Sequence, residues 1–257
     1  MSERTSYEPG TPSWVDLSTP DPDGAKRFYG ELFGWEAEDA GPVEETGGYG
    51  IFRLRGKQMA GVGPLMDPSQ PPAWSTYVAT DDADAAVGRA RKAGAQAIVE
   101  PMDVMDAGPM AVLAHPAGGF VGLWQAGRHT GAELVNEPGA LAWNQLNTRD
   151  LDGAATFYQA VFGWTRGDFG GMPVFNLGEQ GVAGMMQMPN DAPAEVPAHW
   201  MTVFGAKDVD GTVARATELG GGVMMPPRDI EGVGRFAVLN DPQGVFFGIV
   251  TAPPPGT

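Results

Sequence analysis

The chain has 257 residues, with 16 Lys and Arg against 32 Asp and Glu, for a formal net charge of −16. Such a surface repels phosphate backbones and anionic membranes, which sets aside nucleic acid and membrane as partners. Cysteine is absent, which removes disulfides, thiolate nucleophiles and Cys-ligated metals together, and only three His remain.

The length allows one large domain or two ordinary ones, each with a proper core. The opening MSERTSYEPGTPSW has neither the basic nor the apolar region of a leader, and no segment has the apolar run of a membrane span, so a cytoplasmic location is expected. The first predicted element is a short strand from Trp14 to Ser18. Asp21 follows as a helix cap, with Pro22 in the first turn, where its missing N–H costs nothing. Ala25, Phe28, Tyr29, Leu32 and Phe33 recur at i, i+3, i+4, i+7 and i+8, the stripe of a helix with one buried face. Gly34 stops that helix.

Short runs bounded by Gly and Pro predict strands around YGIFRLRG (49–56) and MAGVGPLM (59–66). WSTYVATDDADAAVGRARKAGA (74–95) then reads as strand, Asp-rich cap, amphipathic helix and Gly stop, with further strands near 97–101 and 110–124. AGRHTGAELVNEPGA (126–140) has neither periodicity and reads as a connector.

The second half then repeats the first. WVDLSTPDPDGAKRFYGELFGW (14–35) aligns without a gap on WNQLNTRDLDGAATFYQAVFGW (143–164), an offset of 143 − 14 = 129. AVLAHPAGGFVGLW (111–124) matches AVLNDPQGVFFGIV (237–250), an offset of 237 − 111 = 126. Asp150 and Gly163 take the places of Asp21 and Gly34. PVFNLG, GVAGMMQM and WMTVFGAKDVDGTVARATELGG mirror the middle elements, and further strands are expected near 222–225 and 235–250. This is a duplication on the scale of a domain.

Strand, helix and three strands, repeated within a module and then duplicated, with FYGELFGW and DPQGVFFGIV as landmarks, resembles the vicinal oxygen chelate superfamily of glyoxalase I, bleomycin resistance proteins and extradiol dioxygenases. Within it, the chain is similar to tandem actinobacterial glyoxalase-like proteins of the hydroxylase type. The resemblance implies an α+β fold of two tandem glyoxalase-like modules, 1–125 and 141–257 around the connector 126–140, built from βαβββ repeats whose curled mixed sheets enclose clefts. It also implies a divalent metal in the cleft, held by His or Gln on the first and fifth strands and by Glu on the fourth and last. Carried onto this sequence, those positions fall on Trp14 and Trp143, on Ser75 and Met201, and on Gly122 and Gly248, while the middle strands carry no acid. His115, His129 and His199 have no ligand spacing and read as turn, connector and surface residues. Neither a metal nor another cofactor is expected.

Alternation along a strand puts Trp14, Asp16 and Ser18 on the cleft face and Val15 and Leu17 on the helix face. The second copy presents Trp143, Gln145 and Asn147, and Trp124 joins from the last strand of the first module. Aromatic walls with a few polar groups suit a flat or apolar small molecule, the partner expected here. The competing expectation is that these tryptophans plug the clefts. Met185, Met186, Met188, Met224 and Met225 read first as strand packing and second as adaptable lining, and Arg235 as a contact for an anion or a surface ion pair. The candidate ligand contacts are thus Trp14, Ser75, Trp124, Trp143, Gln145, Asn147, Met201 and Arg235, with Asp16 the candidate catalytic acid or base. Three functions stay open: a metal-free binding or sequestering protein, a glyoxalase-like lyase or a hydroxylase/dioxygenase-type enzyme on a small oxygenated substrate, and a metal-free enzyme working through Asp16. Oligomeric state is not legible.

Overall fold

The computed structural model describes residues 3–252 apart from 117, 191 and 194. The chain runs through four similar quarters. The first is β1 (Pro12–Thr19), α1 (Pro22–Phe33), β2 (Glu36–Asp39), the single turn α2 (Val43–Thr46), β3 (Gly50–Leu54) and β4 (Lys57–Pro64). The second is β5 (Ala73–Thr80), α3 (Ala83–Lys92), β6 (Gln96–Val104), β7 (Gly108–Ala114) and β8 (Phe120–Gln125). The third is β9 (Leu141–Thr148), α4 (Leu151–Phe162), β10 (Thr165–Phe169), β11 (Met172–Leu177) and β12 (Gln180–Gln187). The fourth is β13 (His199–Ala206), α5 (Val209–Glu218), β14 (Gly222–Ile230), β15 (Gly234–Asn240) and β16 (Phe246–Thr251).

The predicted caps form as the sequence dictates. The Asp21 and Asp150 carboxylates accept from Gly24 N and Gly153 N, each at 2.8 Å, and α1 and α4 end on left-handed Gly34 and Gly163. Two expected strands divide. The run 110–124 becomes β7 and β8, because the turn after His115 reverses the chain, and 235–250 splits in the same way into β15 and β16 around Asp241 and Gly244.

Quarters one and two make one eight-stranded mixed sheet, in the order β2-β3-β4-β1-β5-β8-β7-β6. Quarters three and four make the second, β10-β11-β12-β9-β13-β16-β15-β14. In each quarter the first and last strands pair in parallel, and the two quarters of a module meet through an antiparallel pair, β1 with β5 or β9 with β13.

The helix layers cross between modules. One apolar core joins Val15, Leu17, Phe28 and Tyr29 of the first quarter to Phe204, Leu239, Phe247 and Ile249 of the fourth. The other joins Val78, Val87 and Leu123 of the second quarter to Phe157, Tyr158, Trp164 and Phe175 of the third. Val15 and Leu17 thus lie on the helix face, as alternation requires.

The repeated octet has its reason in this crossing. Trp35 donates its indole N–H to Gly139 O, and Trp164 donates to Gly10 O, both at 2.7 Å. The two bonds are copies: 164 − 35 = 139 − 10 = 129. Each tryptophan is buried and holds the segment that leads into the other module's first strand. Tyr29 and Tyr158 stack beside them and accept from Trp74 and Trp200 at 3.0 Å.

Candidate functional site

The face opposite the helices carries the candidate site. In the first module β1 lies between β4 and β5, with Asp16 opposite Gly61 on one side and Ser75 on the other, and Trp14 opposite Tyr77. Asp16, Ser18 and Ser75 are partly buried and reachable from solvent. Tyr49 accepts from Trp14 Nε1 at 3.1 Å and points its hydroxyl at Asp16 Oδ2, 3.5 Å away. Burial pushes the Asp16 carboxyl up to about 6, opposed by the hydroxyls of Tyr77, Tyr49 and Ser75, which favour the charged form. The same burial, with the Asp16 charge added, pushes Tyr49 and Tyr77 well above the ordinary phenol range. One carboxylate among three hydroxyls is therefore the ionisable centre of this face, and it holds or releases its proton close to neutrality.

The absent side chains of Gly122 and Gly248 leave no free room, since neighbouring side chains fill both places, and Gly61 is covered in the same way. A Cβ on Gly122 would stand 2.1 Å from the Tyr77 ring, and one on Gly61 would stand 1.8 Å from the Tyr49 hydroxyl. In the second module Val203 and Phe236 crowd Gly248 in the same way, at 2.9 and 3.1 Å. We expect Gly122→Ala to cost about 1–3 kcal/mol through overpacking. Tyr77→Ala should relieve that cost, so that the double variant melts no lower than Tyr77→Ala alone. A Gly122→Ala protein that melts like the parent would contradict this placement.

Trp14 and Trp124 do not form the open aromatic wall expected of them. They are 3% and 6% exposed, and His129 of the connector covers both, with ring centroids 4.3 and 5.3 Å away. His129 Nδ1–H donates to Gln58 Oε1 at 2.7 Å, its backbone carbonyl accepts from Trp124 Nε1, and burial pushes the imidazole down to about 4, so it is neutral. For these two tryptophans plugging is what the structure shows, because the connector folds back over the ends of β1 and β8. Arg235 is likewise not a cleft residue. Phe236 faces the cleft, so Arg235 points to the helix side, where Asp210 accepts from it at 2.8 Å and Asp229 at 3.3 Å.

The second cleft is built from amides and thioethers. Gln145 lies opposite Gly184 and Met201, and its Nε2 donates to Asn147 Oδ1 at 3.1 Å and reaches Met186 Sδ at 3.6 Å. Asn147 in turn meets His199 Nε2 at 3.2 Å. Met201 packs with Val203 and Phe236, joined by Met225. Met185 and Met188 are buried, while Met186 and Met224 are exposed. Trp143 is partly buried.

The donors at the family's ligand positions do not fit a divalent metal. An indole, a hydroxyl and a filled glycine notch surround the one carboxylate of the first module, and the second offers amide, thioether and a lone imidazole. Among the described residues no group of three or more His, Cys, Asp or Glu is placed to hold a metal ion. Tyr49 and Tyr77 were not among the residues the sequence singled out, and His129 and His199 were considered there only as ligands and set aside. Tyr77 was within reach, since it stands two residues beyond Ser75 on the same strand face. His129 was not, because its position depends on the fold of an aperiodic connector.

Comparison with known proteins agrees with this architecture. The chain is 43% identical over 263 residues to a putative glyoxylase, CFP32, of Mycobacterium tuberculosis, covering 99% of both chains. It is 40% identical over 267 residues to the anthracycline biosynthesis protein DnrV of Streptomyces peucetius, covering 96% of this chain and 94% of that protein. Among solved structures it superimposes on the Mn(II)-bound glyoxalase of Novosphingobium aromaticivorans, with a TM-score of 0.65 at 15% identity over 98% of this chain and 83% of the other. It also superimposes on 2,2',3-trihydroxybiphenyl 1,2-dioxygenase of Sphingomonas wittichii, with a TM-score of 0.64 at 15% identity over 95% and 91%. At that identity the likeness is one of fold. With residues 11–119 and 131–249 each matching its family model, the chain belongs to the Glyoxalase/Bleomycin resistance protein/Dioxygenase superfamily.

Proposed function

We propose that the chain binds a small aromatic molecule without a metal, on the Asp16 face of the first module. The observation that carries this is the single carboxylate ringed by Tyr49, Tyr77 and Ser75 where the superfamily's enzymes place metal donors. A relative named for anthracycline biosynthesis, 40% identical along nearly the whole chain, supports a flat polycyclic ligand. Asp16, Ser18 and Ser75 supply the polar contacts, and the partner's oxygens meet hydroxyls rather than a cation. The second reading is an enzyme, a glyoxalase-like lyase or a hydroxylase/dioxygenase-type catalyst. It is favoured by the relative named a putative glyoxylase and by a carboxyl that titrates near 6, as a general base requires.

Titrating the EDTA-treated full-length chain with hydroxylated anthraquinones, followed by tryptophan emission and by melting, tests the first reading. Saturable binding that survives EDTA and weakens at least several-fold in Asp16→Asn is expected. Binding or turnover that EDTA abolishes and Mn(II) restores would transfer the case to the metal-dependent enzymes.

A further inference from the structure

Six of the seven tryptophans are fully engaged. Trp14, Trp35, Trp74, Trp124, Trp164 and Trp200 each donate an indole N–H, to Tyr49, Gly139, Tyr29, His129, Gly10 and Tyr158, and each packs against at least one other ring. Among the described residues Trp143 alone has neither a hydrogen-bond acceptor nor a ring partner. Its indole lies along the backbone of β12, where glycines make room: an added Cβ would stand 2.7 Å from Nε1 at Gly184 and 3.7 Å from Cη2 at Gly181. Trp143 is partly buried and packs against the Met201, Val203 and Phe236 cluster, while its Nε1 is not among the buried polar atoms left without a partner and so stays within reach of a ligand.

Trp143 lines a cavity of about 230 Å³ between the N-terminal segment and the third quarter. Arg4, Asn136 and Gln180 line the same cavity, and Glu8 is the one acid among the lining residues. Arg4 is exposed and makes no ion pair among the described residues, in a chain with twice as many acids as bases. The lining residues supply an indole, two amide side chains and a guanidinium whose planar fork matches a carboxylate. The volume is below the roughly 300 Å³ at which drug-sized pockets begin, which suits a small occupant such as a single ring. The charge of Glu8 opposes a second anionic group.

We propose that this cavity is a second binding site, separate from the Asp16 face, for a one-ring aromatic monocarboxylate of the benzoate type. The ring lies against Trp143 and the carboxylate meets Arg4, with Nε1 of Trp143 and the amides of Asn136 and Gln180 serving any further oxygen. Nothing in this reading depends on what occupies the first module.

Calorimetric titration of the full-length chain with benzoate, benzamide and benzylamine tests it. Benzoate is expected to bind most tightly and to quench tryptophan emission. Arg4→Gln, on an exposed side chain, should weaken benzoate about 5–10-fold and leave benzamide unchanged, the loss of one charge-assisted contact. Trp143→Phe, with an unchanged melting temperature, should weaken both, and Asp16→Asn should alter neither. The proposal fails if benzoate does not saturate, if Arg4→Gln and Trp143→Phe leave its affinity intact, if benzylamine is preferred, or if Asp16→Asn is the variant that abolishes binding.

Discussion

Trp164→Ala is expected to lower the melting temperature by about 10 °C and to do so for the whole chain at once. Trp164 is 1% exposed and packs on Tyr158, Phe162 and Phe175 in the core shared by the second and third quarters. Emptying such a site costs about 3–5 kcal/mol, and in a chain of this size each kcal/mol is worth about 2–4 °C. The variant also strands the carbonyl of Gly10, which has lost its indole donor. Because neither core belongs to one module, scanning calorimetry should show a single transition that moves as a unit. Two transitions, with only the second-module one displaced, would mean that the modules fold separately and that the crossed cores contribute little. Trp164→Phe is the finer probe: it keeps much of the ring and removes the N–H, so it should fall between parent and alanine variant.

The same residues show how far the sequence could be read. Helix α1 was legible to its ends, because the cap at Asp21, the i, i+3, i+4, i+7, i+8 stripe and the stop at Gly34 are all local signals. Strand β1 was legible in its two faces, because alternation is a local property too. The crossing of the cores was not. Phe28 announces that it is buried, but nothing near it in sequence says that it packs with Phe247, more than two hundred positions away. The candidate site divided along the same line. Asp16, Ser75 and Gln145 fell where strand register puts them, whereas the burial of Trp14 and Trp124 was decided by His129, on a connector with no periodicity to read. Gly122 shows the limit most plainly. A missing side chain reads as space, and only the neighbouring strand reveals that the Tyr77 ring already fills it.

The two clefts should therefore part company in their response to pH. Asp16 and Gln145 occupy equivalent positions, and of the two only Asp16 exchanges a proton near neutrality. The native carboxyl titrates at about 6, while in the unfolded chain an Asp titrates at about 3.9. Between those values the native state holds a proton that the unfolded state has released, so stability falls as pH rises. The stabilisation of the protonated form is complete below about 4 and is lost as pH passes through about 6, for a total of up to about 3 kcal/mol at 1.36 kcal/mol per unit. Asp16→Asn keeps the shape and removes the proton, so the variant should match the parent at pH 4 and exceed its melting temperature by several degrees at pH 8. The buried Asp241 and the neutral His115 and His129 titrate alike in both proteins and drop out of the difference. Gln145→Ala should leave the shape of the profile untouched. Parallel melting profiles for parent and Asp16→Asn from pH 4 to 8 would mean that water or the surrounding hydroxyls already solvate the carboxylate, and the argument for Asp16 as a proton-exchanging group would fall with them.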